Sequence, residues 1–381
     1  MSKDRGKQRL IPTIRFKGFT DDWEQRKLSD VATFWDSQRI PVTASDRVPG
    51  ETPYYGANGI QDHIEGYTHE GTYVLIAEDG ANDLINYPVQ IIEGRSWVNN
   101  HAHVVQGITA QLDTKFLAYR ISSMDISRWL VGGGRAKLNG EVLQKMPITI
   151  PRSEEQTMIR RLLSNLDKTL VLHQRKYENL QAVKKELLKR MFASDKKPVP
   201  DFRFNGYTND WEQRKLSDVA TFWDSQRIPV TASDRVPGET PYYGANGIQD
   251  HIEGYTHEGT YVLIAEDGAN DLINYPVQII EGRSWVNNHA HVVQGITAQL
   301  DTKFLAYRIS SMDISRWLVG GGRAKLNGEV LQKMPITIPR SEEQTMIRRL
   351  LSNLDKTLVL HQRKLEDLKQ LKKVLLQKLF V

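Results

Sequence analysis

Short apolar runs rich in β-branched residues alternate with polar turn sequences in the first part of the chain. The run at residues 72–77 is closed by Glu-Asp-Gly, and residues 88–92 and 101–105 have a similar apolar character. Apolar runs of this length, bounded by turn residues, are typical of buried strands. The dipeptide Asn58-Gly59 indicates a tight turn. We therefore predict at least three strands in this part of the chain.

A helical spacing of apolar positions follows at residues 114–130, where Leu117 and Ile121 lie four residues apart. Asp113 or Thr114 is the candidate N-cap of this helix, because both side chains can accept a hydrogen bond from an otherwise unpaired backbone N–H. Strands followed by a helix of this kind predict a mixed α and β module that is large enough to have its own core.

A much longer helix is predicted to begin at Ser153. Ser153 followed three residues later by Gln156 is the pattern of a capping box. Apolar residues then recur at spacings near three and four, which is typical of a coiled coil. About 40 residues at 1.5 Å each would make a rod of roughly 60 Å. A surface helix lying on one domain is the alternative. The recurring positions are Ile159, Leu162, Leu166, Leu170, Tyr177, Leu180, Leu187 and Met191.

The whole unit occurs twice. Residues 22–176 recur without a single change as residues 210–364, which makes 155 identical residues at an offset of 188. We therefore expect that whatever one copy binds, the other copy binds as well. The predicted segments are a first module at 1–152, a first long helix at 153–197, a second module at 198–340 and a second long helix at 341–381.

Chain order restricts how these segments can be arranged. Only a short loop follows the first long helix, so the second module should lie at its far end, and the second helix needs a partner for its apolar stripe. We predict the α/β fold class: mixed α+β modules in two copies, joined by two long α-helices that form an antiparallel coiled coil.

Composition narrows the chemistry. The chain contains no cysteine, which excludes disulfides, thiolate nucleophiles and cysteine-based zinc sites. It shows no apolar stretch of about 18 residues and no apolar segment near its start, so we expect a cytoplasmic protein. The net charge is +5, but segments 153–192 and 341–381 each hold nine Lys or Arg and five Asp or Glu. The rest of the chain carries −3, so nucleic-acid binding would rest on local clusters or on a partner.

An ordered set of motifs occurs in both copies. It includes Trp23-Glu-Gln-Arg-Lys-Leu28, Tyr73-Val-Leu-Ile-Ala-Glu-Asp-Gly80, Asn99-Asn-His-Ala-His-Val104 and Pro147-Ile-Thr-Ile-Pro151. With this set the chain resembles the specificity subunit of Type I restriction–modification systems over essentially its full length. The resemblance implies a non-catalytic reader of double-stranded DNA, with two target-recognition domains and two conserved spacer helices. It also implies two adenine-methylating modification subunits and two ATP-dependent restriction/translocase subunits as partners. S-adenosylmethionine, ATP and Mg²⁺ would belong to those partners, with no cofactor in this chain. The two modules usually differ in this family, whereas here they are identical.

No catalytic motif stands out, since the chain lacks both a Gly-x-x-x-x-Gly-Lys-Ser/Thr phosphate loop and an amino-methyltransferase segment. We therefore predict a protein that is not an enzyme. One alternative is a stand-alone metal-dependent nuclease that uses Asp79, Asp83, Glu93 and Arg95. Another is a coiled-coil scaffold with protein-binding heads. The pair His101 and His103 lacks an obvious third ligand, so no metal site is predicted.

Polar and aromatic groups in loops are the candidate DNA contacts. Asn and Gln can pair with adenine, Arg with guanine, and Glu can accept a hydrogen bond from cytosine. The Gly-rich segment before Lys137 is a candidate phosphate-binding loop. The candidates in the first copy are Ser37, Gln38, Arg39, Tyr54, Asn58, Glu78, Asn82, Asn100, His101, Arg135 and Lys137. Those in the second copy are Ser225, Gln226, Arg227, Tyr242, Asn246, Glu266, Asn270, Asn288, His289, Arg323 and Lys325.

Two identical modules in an antiparallel arrangement predict a target with two equal halves. The target would be an interrupted palindrome, because each module reads the same half-site and the second half-site is inverted. Heads on one face of a duplex are separated by about 10–10.5 bp from centre to centre. Half-sites of three to four base pairs would then leave an unread spacer on the order of 5–8 bp.

Overall fold

The chain folds into two compact units that each contain one module. The computed structural model describes residues 9–132, 136–193, 197–320 and 324–381. Unit 1 comprises Met1–Gln174 and Arg363–Val381, and unit 2 comprises Arg175–Gln362. Each unit therefore combines a module with the first part of one long helix and the last part of the other.

The strands and helices of module 1 occur in nearly the same form in module 2. Module 1 has β1 (Glu24–Lys27), α1 (Leu28–Val31), β2 (Ala32–Phe34), β3 (Pro49–Gly56), β4 (Gly59–Ile64), β5 (His69–Ala77), β6 (Val89–Val98), β7 (Ala102–Gly107), α2 (Thr114–Ser122), α3 (Gly140–Lys145) and β8 (Pro147–Ile150), followed by the long helix α4 (Ser153–Arg190). Module 2 has β9 (Glu212–Lys215), α5 (Leu216–Val219), β10 (Ala220–Phe222), β11 (Pro237–Gly244), β12 (Gly247–Ile252), β13 (His257–Ala265), β14 (Val277–Val286), β15 (Ala290–Gly295), α6 (Thr302–Ser310), α7 (Gly328–Lys333) and β16 (Pro335–Ile338), followed by the long helix α8 (Ser341–Lys378).

A six-stranded sheet organises each module. In module 1 its order is β2-β7-β5-β6-β3-β4, and β1 pairs with β8 in a separate two-stranded sheet. All neighbours are antiparallel except β3 and β6, which run parallel. Between β2 and β3, residues Asp36–Gln38 form a single 3₁₀ turn. The tight turn predicted at Asn58-Gly59 lies where β3 connects to β4, and the two strands pair antiparallel.

Strand β5 is buried on both faces, which explains its continuous apolar sequence. Val74 and Ile76 belong to the main core of unit 1, and Tyr73 and Leu75 belong to a smaller cluster on the other face. The main core also contains Trp23, which is 2% exposed. The central strand predicted at 72–77 is thus confirmed and begins three residues earlier, at His69.

The helix predicted at 114–130 is shorter than expected. Asp113 caps it as predicted, because its carboxylate accepts a hydrogen bond from the Phe116 N–H at 2.8 Å. The helix ends at Ser122, and residues 127–129 form a separate 3₁₀ turn. Asp125 favours this break, because its side chain accepts hydrogen bonds from both the N–H and the hydroxyl of Ser127.

The predicted capping box of α4 is wrong, although the helix begins at Ser153 as expected. The Gln156 side chain accepts a hydrogen bond from the Asp113 N–H at 2.9 Å and donates to the carbonyl oxygens of Gln111 and Pro151. Gln156 therefore fixes the start of the helix to its own module. One predicted apolar position is also wrong, because Leu162 is 38% exposed while Leu163 is completely buried.

The long helices run antiparallel inside each unit, which confirms the predicted fold class. In unit 1, Lys372 of α8 forms an ion pair at 2.6 Å with Asp167 of α4, and the last residues of the chain enter the core of module 1. In unit 2, Lys184 of α4 forms the equivalent 2.6 Å ion pair with Asp355 of α8. No helix among the described residues has the length and apolar character needed to cross a membrane.

Candidate nucleic-acid interface

Most of the predicted DNA-binding residues of module 1 meet around residues 78–80, directly after β5. Glu78 receives hydrogen bonds from Arg39, which follows the 3₁₀ turn, and Asp79 pairs with His101, which precedes β7. The carbonyl oxygen of Gly80 accepts a hydrogen bond from the side chain of Asn58 at 2.8 Å. Segments that are distant in the sequence are therefore joined at one surface.

Glu78 is the centre of this surface. Its carboxylate lies 2.7 Å from Arg39 Nη1 and 2.9 Å from Lys137 Nζ. Burial alone would raise the pKa of Glu78, but the hydrogen bonds from Lys137 and Arg39 outweigh that effect and lower it. The hydrogen bond to Glu78 raises the pKa of Lys137. Glu78 and Lys137 are therefore charged at neutral pH, and the contacts of Glu78 with Lys137 and Arg39 hold the three side chains in place.

Arg39 connects several segments at once. Its Nε donates to the carbonyl oxygen of Asp36 at 3.0 Å, and its Nη1 donates to the carbonyl oxygen of Ala102 at 2.9 Å. Only 14% of the side chain is exposed. The structure therefore gives Arg39 a supporting position beneath the surface, between the 3₁₀ turn and β7.

The exposed candidates form a polar rim around this centre. Ser37 and Gln38 lie on the 3₁₀ turn, Asn82 lies in the loop after β5, and Asn100 and His101 form the turn before β7; all five are exposed. Asn58 is exposed as well, but both ends of its amide are used, since its carbonyl oxygen accepts from the Asn82 N–H at 3.0 Å. The exposed amides of Gln38, Asn82 and Asn100 are the groups best placed to face a ligand.

Tyr54 lies away from this rim. It is 1% exposed, and its hydroxyl forms hydrogen bonds with the backbone N–H and carbonyl of Val42. The guanidinium of Arg47 lies 4.2 Å above the centre of its ring. The structure therefore places Tyr54 in the interior, where it fixes the loop before β3.

A polar cleft adjoins the rim and adds residues that sequence reasoning missed. In module 2 it has a volume of about 240 Å³ and is lined in part by Asn246, Gln249, Asp267 and His289. Gln249 lies on β12, and its counterpart Gln61 lies on β4, a strand that the apolar pattern did not reveal. The one sequence signal was its position shortly after the Asn-Gly turn. Asp267 pairs with His289.

The second module repeats the arrangement at the predicted positions. Arg227 Nη1 lies 2.7 Å from the Glu266 carboxylate, and Lys325 Nζ lies 2.8 Å from it. The remaining members occupy the same places as in module 1, with Tyr242 buried and Ser225, Gln226, Asn246, Asn270, Asn288 and His289 exposed. Arg135 and Arg323 lie outside the described residues, so their roles stay predictions.

The residues of the nuclease alternative have separate partners. Asp79 pairs with His101, whereas Asp83 accepts hydrogen bonds from residues of its own loop. Glu93 forms an ion pair with Lys115, and Arg95 forms one with Glu70. Two-metal and one-metal nucleases need carboxylates that converge on one point, and these side chains are engaged elsewhere.

Asp36, Glu78 and His103 do converge, with ligand atoms within 4.8 Å of one another. His103 Nδ1 lies 2.6 Å from Asp36 Oδ2 and 3.7 Å from Glu78 Oε2. Arg39 and Lys137 already supply positive charge to Glu78 at less than 3 Å. The positive charge that a metal ion would place beside Glu78 therefore comes from the side chains of Arg39 and Lys137.

A wider cleft of about 740 Å³ lies elsewhere in unit 2. Its lining includes Arg203, Arg214, Arg340, Glu342 and Glu343, so positive and negative side chains are mixed. Arg203 and Glu343 are held to each other by two hydrogen bonds of 2.7 and 2.9 Å. None of the predicted DNA-binding residues lines this cleft.

Comparison with known proteins gives matches to both copies. The model of the type I restriction modification DNA specificity domain matches residues 20–182 and 208–370. A putative type I restriction enzyme specificity subunit of Haemophilus influenzae is 48% identical over 143 residues, which is 38% of this chain and 37% of that protein. The MjaVIII specificity subunit of Methanocaldococcus jannaschii is 20% identical over 400 residues, covering 93% of this chain and 91% of that protein.

The fold also has a counterpart among solved structures. The S subunit of a type I restriction-modification system from M. genitalium superimposes with a TM-score of 0.78 at 14% sequence identity. The match covers 97% of this chain and 99% of that one. Two modules with two long helices are therefore an architecture that occurs in another protein.

Proposed function

Because the chain belongs to the type I restriction-modification DNA specificity family, we propose that it is the subunit that reads the DNA sequence for a restriction–modification complex. Each module contacts one half of a bipartite target. The chain itself carries out no chemistry. It positions an adenine methyltransferase and an ATP-dependent nuclease/translocase, which act on the DNA that it has recognised.

The observation that carries this proposal is the convergence of polar groups around residues 78–80 and again around residues 266–268. Exposed amides such as Gln38 and Asn82 can pair with base edges, and adenine is the base that Asn and Gln recognise best. Lys137 is 43% exposed and charged, so it can contact a phosphate. A rigid base of Arg39 and Glu78 supports these groups, which lowers the cost of ordering them on binding.

The symmetry of the target follows from the repeat. Residues 22–176 and 210–364 are identical, so both modules read the same half-site. The antiparallel pairing of α4 and α8 segments within each unit supports half-sites that are inverted with respect to each other. We infer that the target is an interrupted palindrome.

The chain outside the two long helices carries a net charge of −3 and so has no excess positive charge, which supports a need for partners. Counterion release from phosphates supplies much of the affinity of DNA-binding proteins, and it scales with the number of cationic contacts. We infer that the modification subunits add phosphate contacts, and that the long helices form part of the surface on which those subunits dock.

Titration of DNA with and without modification subunits tests this function. We expect weak binding by the chain alone, strong sequence-specific binding by the assembled complex, and no cleavage when the chain alone is incubated with DNA and Mg²⁺. Cleavage by the pure chain would favour the nuclease alternative. Assembly with the modification subunits but no DNA binding in any combination would contradict the proposal.

A further inference from the structure

Gln249 is the glutamine of the polar cleft in module 2. It is exposed on β12, which is an edge strand of the six-stranded sheet. The other polar side chains of this cleft are engaged within the protein. Asp267 pairs with His289, and both ends of the Asn246 amide are hydrogen-bonded to backbone groups. Gln249 is therefore the side chain of the cleft that is best placed to contact a ligand.

The position of the Gln249 amide explains the glycine at residue 244. Gly244 is the last residue of β11, and its φ lies outside the left-handed region, so the backbone conformation alone does not require a glycine. A Cβ at this residue would lie 2.3 Å from Gln249 Nε2 and 2.7 Å from its Cδ. These distances are far below the contact distance of non-bonded atoms. The amide therefore lies directly against the backbone of Gly244, in space that a side chain would fill.

Asn287 determines which end of the Gln249 amide stays available. Asn287 is 3% exposed, and its Oδ1 accepts a hydrogen bond from the His289 N–H at 2.8 Å, because a backbone N–H can only donate. Its Nδ2 is then the end that donates to Gln249 Oε1, at 3.4 Å. Gln249 keeps the Nε2 donor, which has no hydrogen-bond partner among the described residues, and a second lone pair on Oε1.

A donor beside an acceptor complements the edge of adenine. In the major groove adenine offers the N7 acceptor and the N6 amino donor, and a glutamine amide can pair with both at once. Guanine offers two acceptors there, cytosine offers a donor, and thymine offers one acceptor beside its methyl group. Each of these three bases would leave one of the two remaining groups of the Gln249 amide unpaired. The hydrogen-bond pattern of the amide therefore favours adenine.

The contacts of this amide hold it in place before DNA binds. An unrestrained glutamine loses rotamer freedom when it pairs with a base, and this loss reduces affinity. Packing against Gly244 and the hydrogen bond from Asn287 restrict the side chain in advance. The same contacts occur in module 1, where Gln61 lies against Gly56 and accepts a hydrogen bond from Asn99 at 3.4 Å. Both modules therefore present the same preorganised amide.

We propose that Gln61 and Gln249 are specificity-determining residues, that each recognises the major-groove edge of one adenine in its half-site, and that Gly56 and Gly244 position them. This inference rests on the proposed function and assigns one base of each half-site to a named side chain. Because the modules are identical here, the adenine occupies the same place in both half-sites.

The test uses the full chain assembled with its modification subunits and DNA carrying the methylated motif. Each adenine of one half-site is replaced in turn by 7-deazaadenine, which keeps the N6 amino group and the base pair but lacks the N7 acceptor. We expect one replacement to weaken binding about tenfold. Gln61→Met with Gln249→Met should bind altered and unaltered DNA equally, because a thioether cannot donate to N7. This ratio compares two DNAs on the same protein, so partial loss of folded protein does not change it.

A second variant tests the positioning role and keeps the amide. Gly56→Ala with Gly244→Ala should displace the glutamine side chains and reduce the tenfold ratio. The three atoms nearest to each added Cβ belong to side chains, which can move without unfolding the strand. The same alanines combined with the methionine variant should leave the ratio unchanged, because they act through the glutamine. Gln25→Met with Gln213→Met is the matched control at exposed glutamines of the two-stranded sheets, and it should keep the wild-type ratio.

The outcomes separate this inference from the proposed function. A tenfold ratio that persists in Gln61→Met with Gln249→Met would overturn the reading of adenine by these glutamines while the proposed function stands. A wild-type complex that discriminates against none of the 7-deazaadenine targets, or a half-site without adenine, would overturn it as well. An unchanged ratio in Gly56→Ala with Gly244→Ala would overturn the positioning role of the glycines. Absence of DNA binding by the wild-type complex would remove both the inference and the proposed function.

Discussion

Gln38 is a candidate DNA contact whose contribution can be tested with a single side-chain change in each module. It is exposed on a 3₁₀ turn whose first residue, Asp36, and following residue, Arg39, are held by partly buried hydrogen bonds. We expect Gln38→Ala with Gln226→Ala to weaken binding of the assembled complex by about 1–3 kcal/mol for each base that the glutamine no longer recognises. The same change should relax base preference at one position of each half-site. Competition binding with single-base variants of the target measures both effects.

Gln25→Ala with Gln213→Ala provides the matched control for this change. These glutamines are exposed on β1 and β9, in the two-stranded sheets apart from the candidate interface. DNA affinity of this control should equal that of the wild type. An equal loss of DNA affinity in both double variants would show that Gln38 contributes no more to DNA binding than a glutamine outside the candidate interface.

At the scale of the element, the adjacent leucines of α4 have opposite environments. Leu163 is completely buried in the core of unit 1, and Leu162 is 38% exposed. Leu163→Ala should lower the free energy of unfolding by about 2–5 kcal/mol, because it leaves a cavity in a packed core. Leu162→Ala should change it by less than about 1 kcal/mol. Urea denaturation followed by circular dichroism distinguishes the two, and similar midpoints would contradict the assignment of the buried face.

The residues that follow α8 pack in the core of module 1 although they are far away from it in the sequence. Phe380 lies with its ring centre 6.0 Å from that of Trp23 and 5.5 Å from that of Phe116. Phe380→Ala should cost about 3–5 kcal/mol and shift the fluorescence of Trp23, because it removes a large aromatic side chain from the core. Phe202→Ala, at a position that is 45% exposed, is the control and should leave stability nearly unchanged.

These elements show what the apolar pattern could and could not predict. Strand β5 was predictable because both of its faces are buried, so its residues form a continuous apolar run. Strands β3 and β4 were missed because Pro, Gly and charged residues interrupt them and most of β4 is exposed. To decide whether Leu162 or Leu163 is buried, one must know which face of α4 packs against module 1. A spacing of three and four residues does not give that information.

The candidate interface was predictable as a set of residue types and not as a geometry. Loop amides and basic residues indicated DNA contacts, and the structure brings most of them together. The supporting role of Arg39 and the burial of Tyr54 depend on their packing against Glu78 and Val42, and Glu78 is distant from Arg39 in the sequence. The partners of His103 come from segments 67 and 35 residues away, so no local pattern could have revealed its two acceptors.

At the scale of the whole molecule, identity of the two modules makes them interchangeable. If the proposed target has two equal half-sites, Gln38→Ala alone and Gln226→Ala alone should weaken binding by the same factor, since each variant removes the same side chain from one of two identical modules. The double variant should show the product of the two factors if the half-sites are independent. Titration of the assembled complex with a symmetric target measures all three variants. Unequal single effects would contradict equal reading by the two modules.

The same identity predicts the form of the target DNA. Sequencing of methylated bases in a host that carries this chain and its modification subunits should reveal an interrupted palindrome, with a spacer on the order of 5–8 bp if the half-site centres are one helical turn apart. Insertion of a few residues near Tyr177 in α4 and near Leu365 in α8 should lengthen the spacer and leave the half-sites unchanged, because the loops that read bases are not altered. Equal insertions in the loop after Gly18 and Gly206 are the control and should leave the spacer as it is. A methylated motif with two unlike halves, or with a direct repeat, would contradict an inverted pair of identical modules.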